Sequence, residues 1–337
     1  MITSTPAGLL CEAGGFYVDP WEPVQRAVIT HAHADHARAG SRSYLCAAGG
    51  ETVLRRRISD AVIEAVPYGR QIAIGETRVS FHPAGHILGS AQIRIEHRGE
   101  VWVVSGDYKR QTDPTCAAFE PIRCDTFITE ATFALPIYTW DAPSSVIDEI
   151  VDWWRANRED GRPSVLFCYV LGKAQRVLAE LRNRADGPIH LHGAVVGMTD
   201  SYREAGIAMA PAERITEDLR GKALERSLVL APLSARGTAW MRRLPRASLA
   251  FASGLMRVRG VRRQRAFDRG FVLSDHADWR ALLDTVAETG ATRVLATHGW
   301  SEALARYLAE KRGLDTGTIA TAYEGEAGEL SAAQEAG

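Results

Sequence analysis

His31-Ala32-His33-Ala34-Asp35-His36 is the stretch from which the rest of the chain is read. Three imidazoles and a carboxylate occupy six positions of a 337-residue chain that has ten histidines in all. The residues before them, Ala27-Val28-Ile29-Thr30, are short, apolar and β-branched, which predicts a buried strand. The histidines therefore fall where a strand gives way to a loop, a usual place for reactive groups on a rigid scaffold. Neutral imidazole and carboxylate are the donors that divalent transition metals prefer. Neither His31 and His33 nor Asp35 and His36 have the i, i+4 spacing of a helical zinc pair, so a loop must present them. One loop cannot easily aim four groups at one ion, and the density points to two metals side by side. The competing reading is a solvated polar turn with chance histidines.

Working outward, polar groups recur at strand ends. Gly15–Pro20 reads as a strand stopped by proline, with Asp19 at its end. Asp19 is either a surface turn residue or a carboxylate that orients a metal-binding histidine. Val79-Ser80-Phe81-His82 is a strand that leads into Pro83–Ser90, where Gly85 and Gly89 flank His86 and let the backbone approach closely. His86 is the ligand candidate; His82, within the strand, reads as a packed core histidine. Val101–Ser105 ends in Gly106-Asp107, and Thr126–Thr129 ends in Glu130. A carboxylate such as Asp107 has two oxygens and can bridge two cations. Four strands ending in Asp19, His31, Asp107 and Glu130 are explained by one shared edge.

The length suits two domains, or one with a large insertion. Apolar residues at 46% and charged residues at 24% are ordinary for a globular protein. The net charge of −1 gives no whole-protein field for nucleic acid. Five scattered cysteines without a C-x-x-C pair favour reduced thiols and a cytoplasmic setting. No basic segment followed by an apolar core marks a signal peptide, and no 18-residue apolar run predicts a membrane span. From Pro143 the texture becomes β-α-β: a helix with Val146, Ile147, Ile150, Val151 and Trp154 on one face, then strands at Ser164–Tyr169, Ile189–Leu191, Ser227–Ala231 and Ser248–Ala252. The expected layout is a first part at 1–142, an inserted α/β unit at 143–262, a return to the first domain at 263–323 and a frayed tail at 324–337. Arginines 242, 243, 246, 257, 259, 262, 263, 265 and 269 face a single acid, Asp268, in that stretch. Such segregation suits phosphate. Late in the chain, Gly270–Leu273 leads to Ser274-Asp275-His276, and Thr292–Thr297 leads to His298-Gly299-Trp300.

Taken together, His31-Ala32-His33-Ala34-Asp35-His36, Ala84-Gly85-His86-Ile87-Leu88-Gly89 and Gly106-Asp107 resemble the metal motifs of the metallo-β-lactamase superfamily. The insertion after Glu130, with Thr129-Glu130-Ala131-Thr132-Phe133, Ser274-Asp275-His276 and Thr297-His298-Gly299, resembles its β-CASP nuclease branch, and most closely the bacterial DNA exonucleases associated with DNA ligase and a helicase. The resemblance implies an αββα sandwich carrying a small inserted α/β (β-CASP) domain. It implies two divalent ions, zinc or manganese, with His31, His33 and His86 on the first, Asp35, His36 and His298 on the second, and Asp107 bridging. Glu130 and His276 would form a hydrogen-bonded catalytic pair, and Asp19 would steady the histidine loop. Arg257, Arg259, Arg262 and Lys109 would contact substrate phosphate, while His82, His97, His190 and His192 would be bystanders. The implied activity is cleavage of DNA, as an exonuclease favouring the 5′ end, in repair. An RNA-processing nuclease is the alternative, since a histidine at position 298 is the pattern of the RNA-processing members. A small-molecule metallohydrolase such as a lactonase or thioesterase would share the first motifs alone.

Overall fold

The computed structural model describes residues 1–258, 260 and 267–321. The expected tail at 324–337 lies outside them. The chain divides into two compact units, one formed by Met1–Tyr138 with His276 and the residues after it, the other by Thr139–Asp275.

In chain order the first unit holds β1 (Ile2–Thr5), β2 (Gly8–Cys11), β3 (Phe16–Val18), β4 (Arg26–Val28), β5 (Ser43–Ala47), α1 (Glu51–Arg57), β6 (Ile63–Val66), β7 (Ile72–Ile74), β8 (Thr77–Pro83), β9 (Ala91–His97), β10 (Glu100–Val104) and β11 (Thr126–Glu130). The second unit follows with α2 (Pro143–Glu159), β12 (Ser164–Phe167), α3 (Lys173–Glu180), β13 (Ile189–Leu191), α4 (Gly193–Glu204), β14 (Glu213–Arg214), β15 (Leu228–Ala231), β16 (Ser248–Ala252) and β17 (Arg269–Phe271). The chain then returns to the first unit through α5 (Trp279–Thr289), β18 (Arg293–Thr297), α6 (Ser301–Arg312) and β19 (Asp315–Ile319).

Two sheets make the first unit. One has the order β1-β2-β3-β4-β5-β6, the other β19-β18-β11-β10-β9-β8-β7. Their inner faces meet in a core of Leu9, Val18, Val28 and Leu45 from the first sheet with Phe81, Ile93, Ile95, Val104 and Ile128 from the second. The outer face of the second sheet packs Val103, Phe127 and Val294 against Leu282 and Val286 of α5 and Leu304 and Leu308 of α6. Strand β11 is buried throughout and lies between β10 and β18, parallel to both. That explains why Thr126–Glu130 reads as a continuous run and not as an alternating one. Helix α5 begins at Asp278, whose carboxylate accepts the Ala281 N–H at 2.8 Å, and ends at Gly290 with φ +66°. Those are the capping residues expected at each end.

The second unit is a parallel sheet of order β14-β13-β15-β12-β16-β17. The apolar face of α2 packs on it through Val146, Ile147, Ile150, Val151 and Trp154, each 4% exposed or less. Strand β17 differs from the sequence expectation. Ala250, Phe251 and Ala252 of β16 pair with Arg269, Gly270 and Phe271, so this strand completes the inserted sheet. The inserted unit therefore extends to Asp275, past the expected boundary at 262. A three-residue strand carries no local mark of the sheet it will join; pairing decides it. Among the described residues no helix is long and apolar enough to cross a membrane.

Candidate metal centre

The histidine loop begins where β4 ends, and Asp19 organises it. Asp19 has a left-handed backbone, φ +43°, unusual for a residue other than glycine. Its carboxylate accepts the Thr30 N–H at 2.8 Å, the Thr30 hydroxyl at 2.5 Å and the His36 Nδ1–H at 2.7 Å. The Thr30 hydroxyl in turn accepts the His31 Nδ1–H at 3.0 Å. With both Nδ1 atoms donating, the Nε2 lone pairs of His31 and His36 are left for a metal. The His86 loop, between β8 and β9, is closed by Ser90, whose hydroxyl accepts the N–H groups of His86 at 3.0 Å and Ile87 at 3.2 Å. Asp107 follows β10 through Gly106, where a Cβ would lie 2.6 Å from that of Thr30. Only glycine lets that turn pass so close to the histidine loop.

The donor atoms converge. His33 Nδ1 lies 3.1 Å from His31 Nε2 and 3.1 Å from His86 Nε2. Asp107 Oδ2 lies 3.5 Å from His31 Nε2 and 3.7 Å from His86 Nε2. Donors about 2.1 Å from one tetrahedral ion are about 3.4 Å apart, so this quartet fits a divalent transition metal. Beside it, His36 Nε2 is 3.6 Å from Asp35 Oδ2 and 3.6 Å from the same Asp107 oxygen. This nitrogen is buried with no hydrogen-bond partner, an expensive arrangement unless an ion takes its lone pair. The His298 ring stacks near that of His36, with centroids 5.3 Å apart. On the other side, His276 Nδ1 is 2.8 Å from Glu130 Oε2 and 4.0 Å from Asp107 Oδ2. One carboxylate oxygen thus neighbours four imidazoles.

Burial dominates the electrostatics. It pushes the Asp107 carboxyl up to about 7, aided by Glu130 and Asp35 and opposed by His36 and His276. Burial, with His36 nearby, drives His298 down to about 4, and burial drives His31 well below the usual imidazole range. At His36 burial works downward too, but Asp35, Asp107 and Asp19 outweigh it and lift the ring to about 10. So many like groups in one dry site compete for protons, and a divalent cation relieves them by supplying fixed positive charge.

Among the residues expected to touch substrate, Lys109 is corrected. It is 1% exposed, and its ammonium lies 2.5 Å from Asp113 Oδ2, so it is an internal ion-pair partner. In the second unit Arg257 donates to Thr139 at 2.9 Å and pairs with Asp141 at 3.4 Å. Arg259 and Arg262 lie outside the described residues. His82 lies 3.6 Å from Glu120 and His97 3.2 Å from Glu76. His190 sits on β13, and His192 caps α4 by accepting the Ala194 N–H at 3.1 Å. Sequence reasoning missed Thr30, Ser90 and Arg57. Arg57 Nε–H in fact donates to the Ala32 carbonyl inside the histidine loop. Trp300, two residues past His298, was missed as well; it is 48% exposed, and its N–H bonds the Ala131 carbonyl at 2.8 Å.

No protein-family model matches the chain. A probable DNA ligase from Opitutus terrae is 32% identical over 317 residues, which cover 93% of this chain and 30% of that protein. An RNase J-like protein from Methanocaldococcus jannaschii is 27% identical over 149 residues, 42% of this chain and 35% of the relative. Cleavage and polyadenylation specificity factor 73 of Drosophila melanogaster is 28% identical over 123 residues, 34% of this chain and 17% of the relative. The chain spans about a third of the length of the first two of these. The crystal structure of a protein of unknown function from Enterococcus faecalis V583 shares the fold, with TM-score 0.61 at 12% identity over 87% of this chain and 79% of that one. The chain has the metallo-β-lactamase/β-CASP fold, and the nucleases among these relatives support that superfamily. In this fold the two-sheet unit is the metallo-β-lactamase sandwich, and Thr139–Asp275 is the inserted α/β domain.

Proposed function

We propose that the chain is a metal-dependent nuclease that hydrolyses phosphodiester bonds of DNA. It acts as an exonuclease, with the 5′ end favoured, in cytoplasmic DNA repair alongside a ligase and a helicase. The observation that carries the reading is the shared position of Asp107 Oδ2, 3.5 Å from His31 Nε2 and 3.6 Å from His36 Nε2. His31, His33 and His86 would hold one divalent ion and Asp35, His36 and His298 a second, with Asp107 shared by the two sets. A pair of divalent ions bound there, zinc or manganese, would supply charge neutralisation on a phosphate oxygen and a water acidified toward a pKa of about 7. The chain's own residues do the rest. Asp19 and Thr30 hold the rings of His36 and His31 in the ligating tautomer. Glu130 takes the Tyr108 N–H on Oε1 at 2.7 Å and His276 Nδ1 on Oε2, which fixes the imidazole and favours its protonated form. His276 Nε2 then gives its proton to the departing sugar oxygen.

The relative named as a ligase matches 93% of this chain, the RNase J-like protein 42%, and that contrast supports DNA. His298 and the endoribonuclease names among the relatives support RNA as the second reading. The experiment is a matched set of end-labelled single- and double-stranded DNA and RNA, each with zinc or manganese. Stepwise loss from the 5′ end of DNA is the expected result. Preferential cleavage of RNA would move the protein to the second reading, and no cleavage of either would end both.

A further inference from the structure

Helix α1 spans Glu51–Arg57, about 10 Å of chain at 1.5 Å per residue, and both its ends touch loops that carry candidate metal ligands. At the N-terminal end its capping residue, Gly50, meets Gly89, three residues past His86. The two backbones touch so closely that a Cβ on Gly89, φ +72°, would fall 2.0 Å from Gly50 Cα. Tyr68 secures the same loop by donating its hydroxyl to the Ser90 carbonyl at 2.9 Å. At the C-terminal end Arg57 Nε–H donates to the carbonyl of Ala32, the residue between His31 and His33. His31, His33 and His86 come from segments more than fifty positions apart in sequence, yet their donor atoms stand 3.1 Å from one another along the chain of contacts.

We propose that α1 is a strut that sets the distance between the two ligand loops, and that Arg57 is its positioning residue, tuning affinity and geometry for a divalent transition ion at His31, His33 and His86. This rests on reading those residues as a metal site. The Gly50–Gly89 contact fixes one end of the strut without a side chain. The other end is held by the Arg57 guanidinium, beside the Ala91 N–H that bonds the Thr30 carbonyl at 2.8 Å, so loss of Arg57 loosens the Ala32 peptide and shifts the His31 and His33 rings relative to His86. The neighbouring Arg55 does a different job, pairing with Glu51 on the helix surface at 2.7 Å.

The test uses the whole chain stripped of metal and titrated with Co2+, read by its visible absorption and by competition with a chelator. Arg57→Ala should weaken Co2+ binding about tenfold or more, as loss of a ligand-orienting partner does, and should change the intensity of the cobalt band. Arg57→Lys should fall between that variant and wild type, and Arg56→Ala should match wild type. Wild-type affinity and spectrum in Arg57→Ala would overturn the proposal. Should that variant fail to fold, an unaltered spectrum in Arg57→Lys would overturn it, because an ammonium cannot reproduce the planar Nε–H contact. No Co2+ uptake by the wild-type chain would instead remove the metal site itself.

Discussion

His276 Nδ1 stands 2.8 Å from Glu130 Oε2, and the other oxygen of that carboxylate is held by the backbone of Tyr108, the residue after Asp107. The pair is rigid, buried and beside the donor cluster without being needed to complete it. His276→Ala should therefore slow turnover about 10²- to 10⁴-fold, the range for a lost general acid, with metal content near wild type. Metal analysis beside steady-state rates checks this; a variant emptied of metal would make His276 a ligand.

Asp107 gives a pH signature in the metal-free protein. Its folded pKa is raised from the ordinary carboxylate range to about 7. Its contribution therefore favours the fold at low pH and is lost as pH rises through about 7. Asp107→Asn, which cannot ionise, should melt higher than wild type in chelator at about pH 8, with the advantage shrinking as pH falls from about 7 and gone below about pH 4, while binding metal poorly. Equal melting at both pH values would show that the ionised carboxylate carries no penalty.

Lys109 serves the fold. Asp113, which it meets, also accepts the Thr115 N–H at 2.8 Å and the Thr115 hydroxyl at 2.6 Å. Lys109→Met leaves that buried carboxylate without its cation and should cost about 3–5 kcal/mol in a denaturant melt. Unchanged stability with a raised KM would return Lys109 to the substrate.

Trp300 offers an indole to solvent two residues from His298, on a backbone fixed by Ala131. If a nucleic-acid strand passes the site, a base can stack there. Trp300→Ala should raise KM by the equivalent of about 1–3 kcal/mol with kcat held, and an abasic substrate should erase the difference. A KM equal to wild type on both substrates would assign the indole no part in binding.

The sequence made the donor set legible because each member stands at the end of an apolar strand or in a glycine-bracketed loop, and both signals are local. His31, His86, Asp107, Glu130 and His298 could be found that way, and the ends of α5 carry local marks of the same kind in Asp278 and Gly290. What escaped was whatever depended on distant partners. Burial of Lys109 against Asp113, the reach of Arg57 to Ala32 and the pairing of β17 with β16 are tertiary facts, and a basic run or a three-residue strand looks the same with or without them. Asp19 fell between the two kinds. Its place at a strand end was visible, but its three hydrogen bonds to Thr30 and His36 were what separated an orienting carboxylate from a surface turn.

The central claim is a pair of cations bridged by Asp107. Crystals grown with manganese or zinc and measured at the metal's absorption edge test it most directly. Two anomalous peaks about 3.5–4 Å apart are expected, one among His31, His33 and His86 and one among Asp35, His36 and His298, with Asp107 between them. A single peak, or none near Asp107, would contradict it.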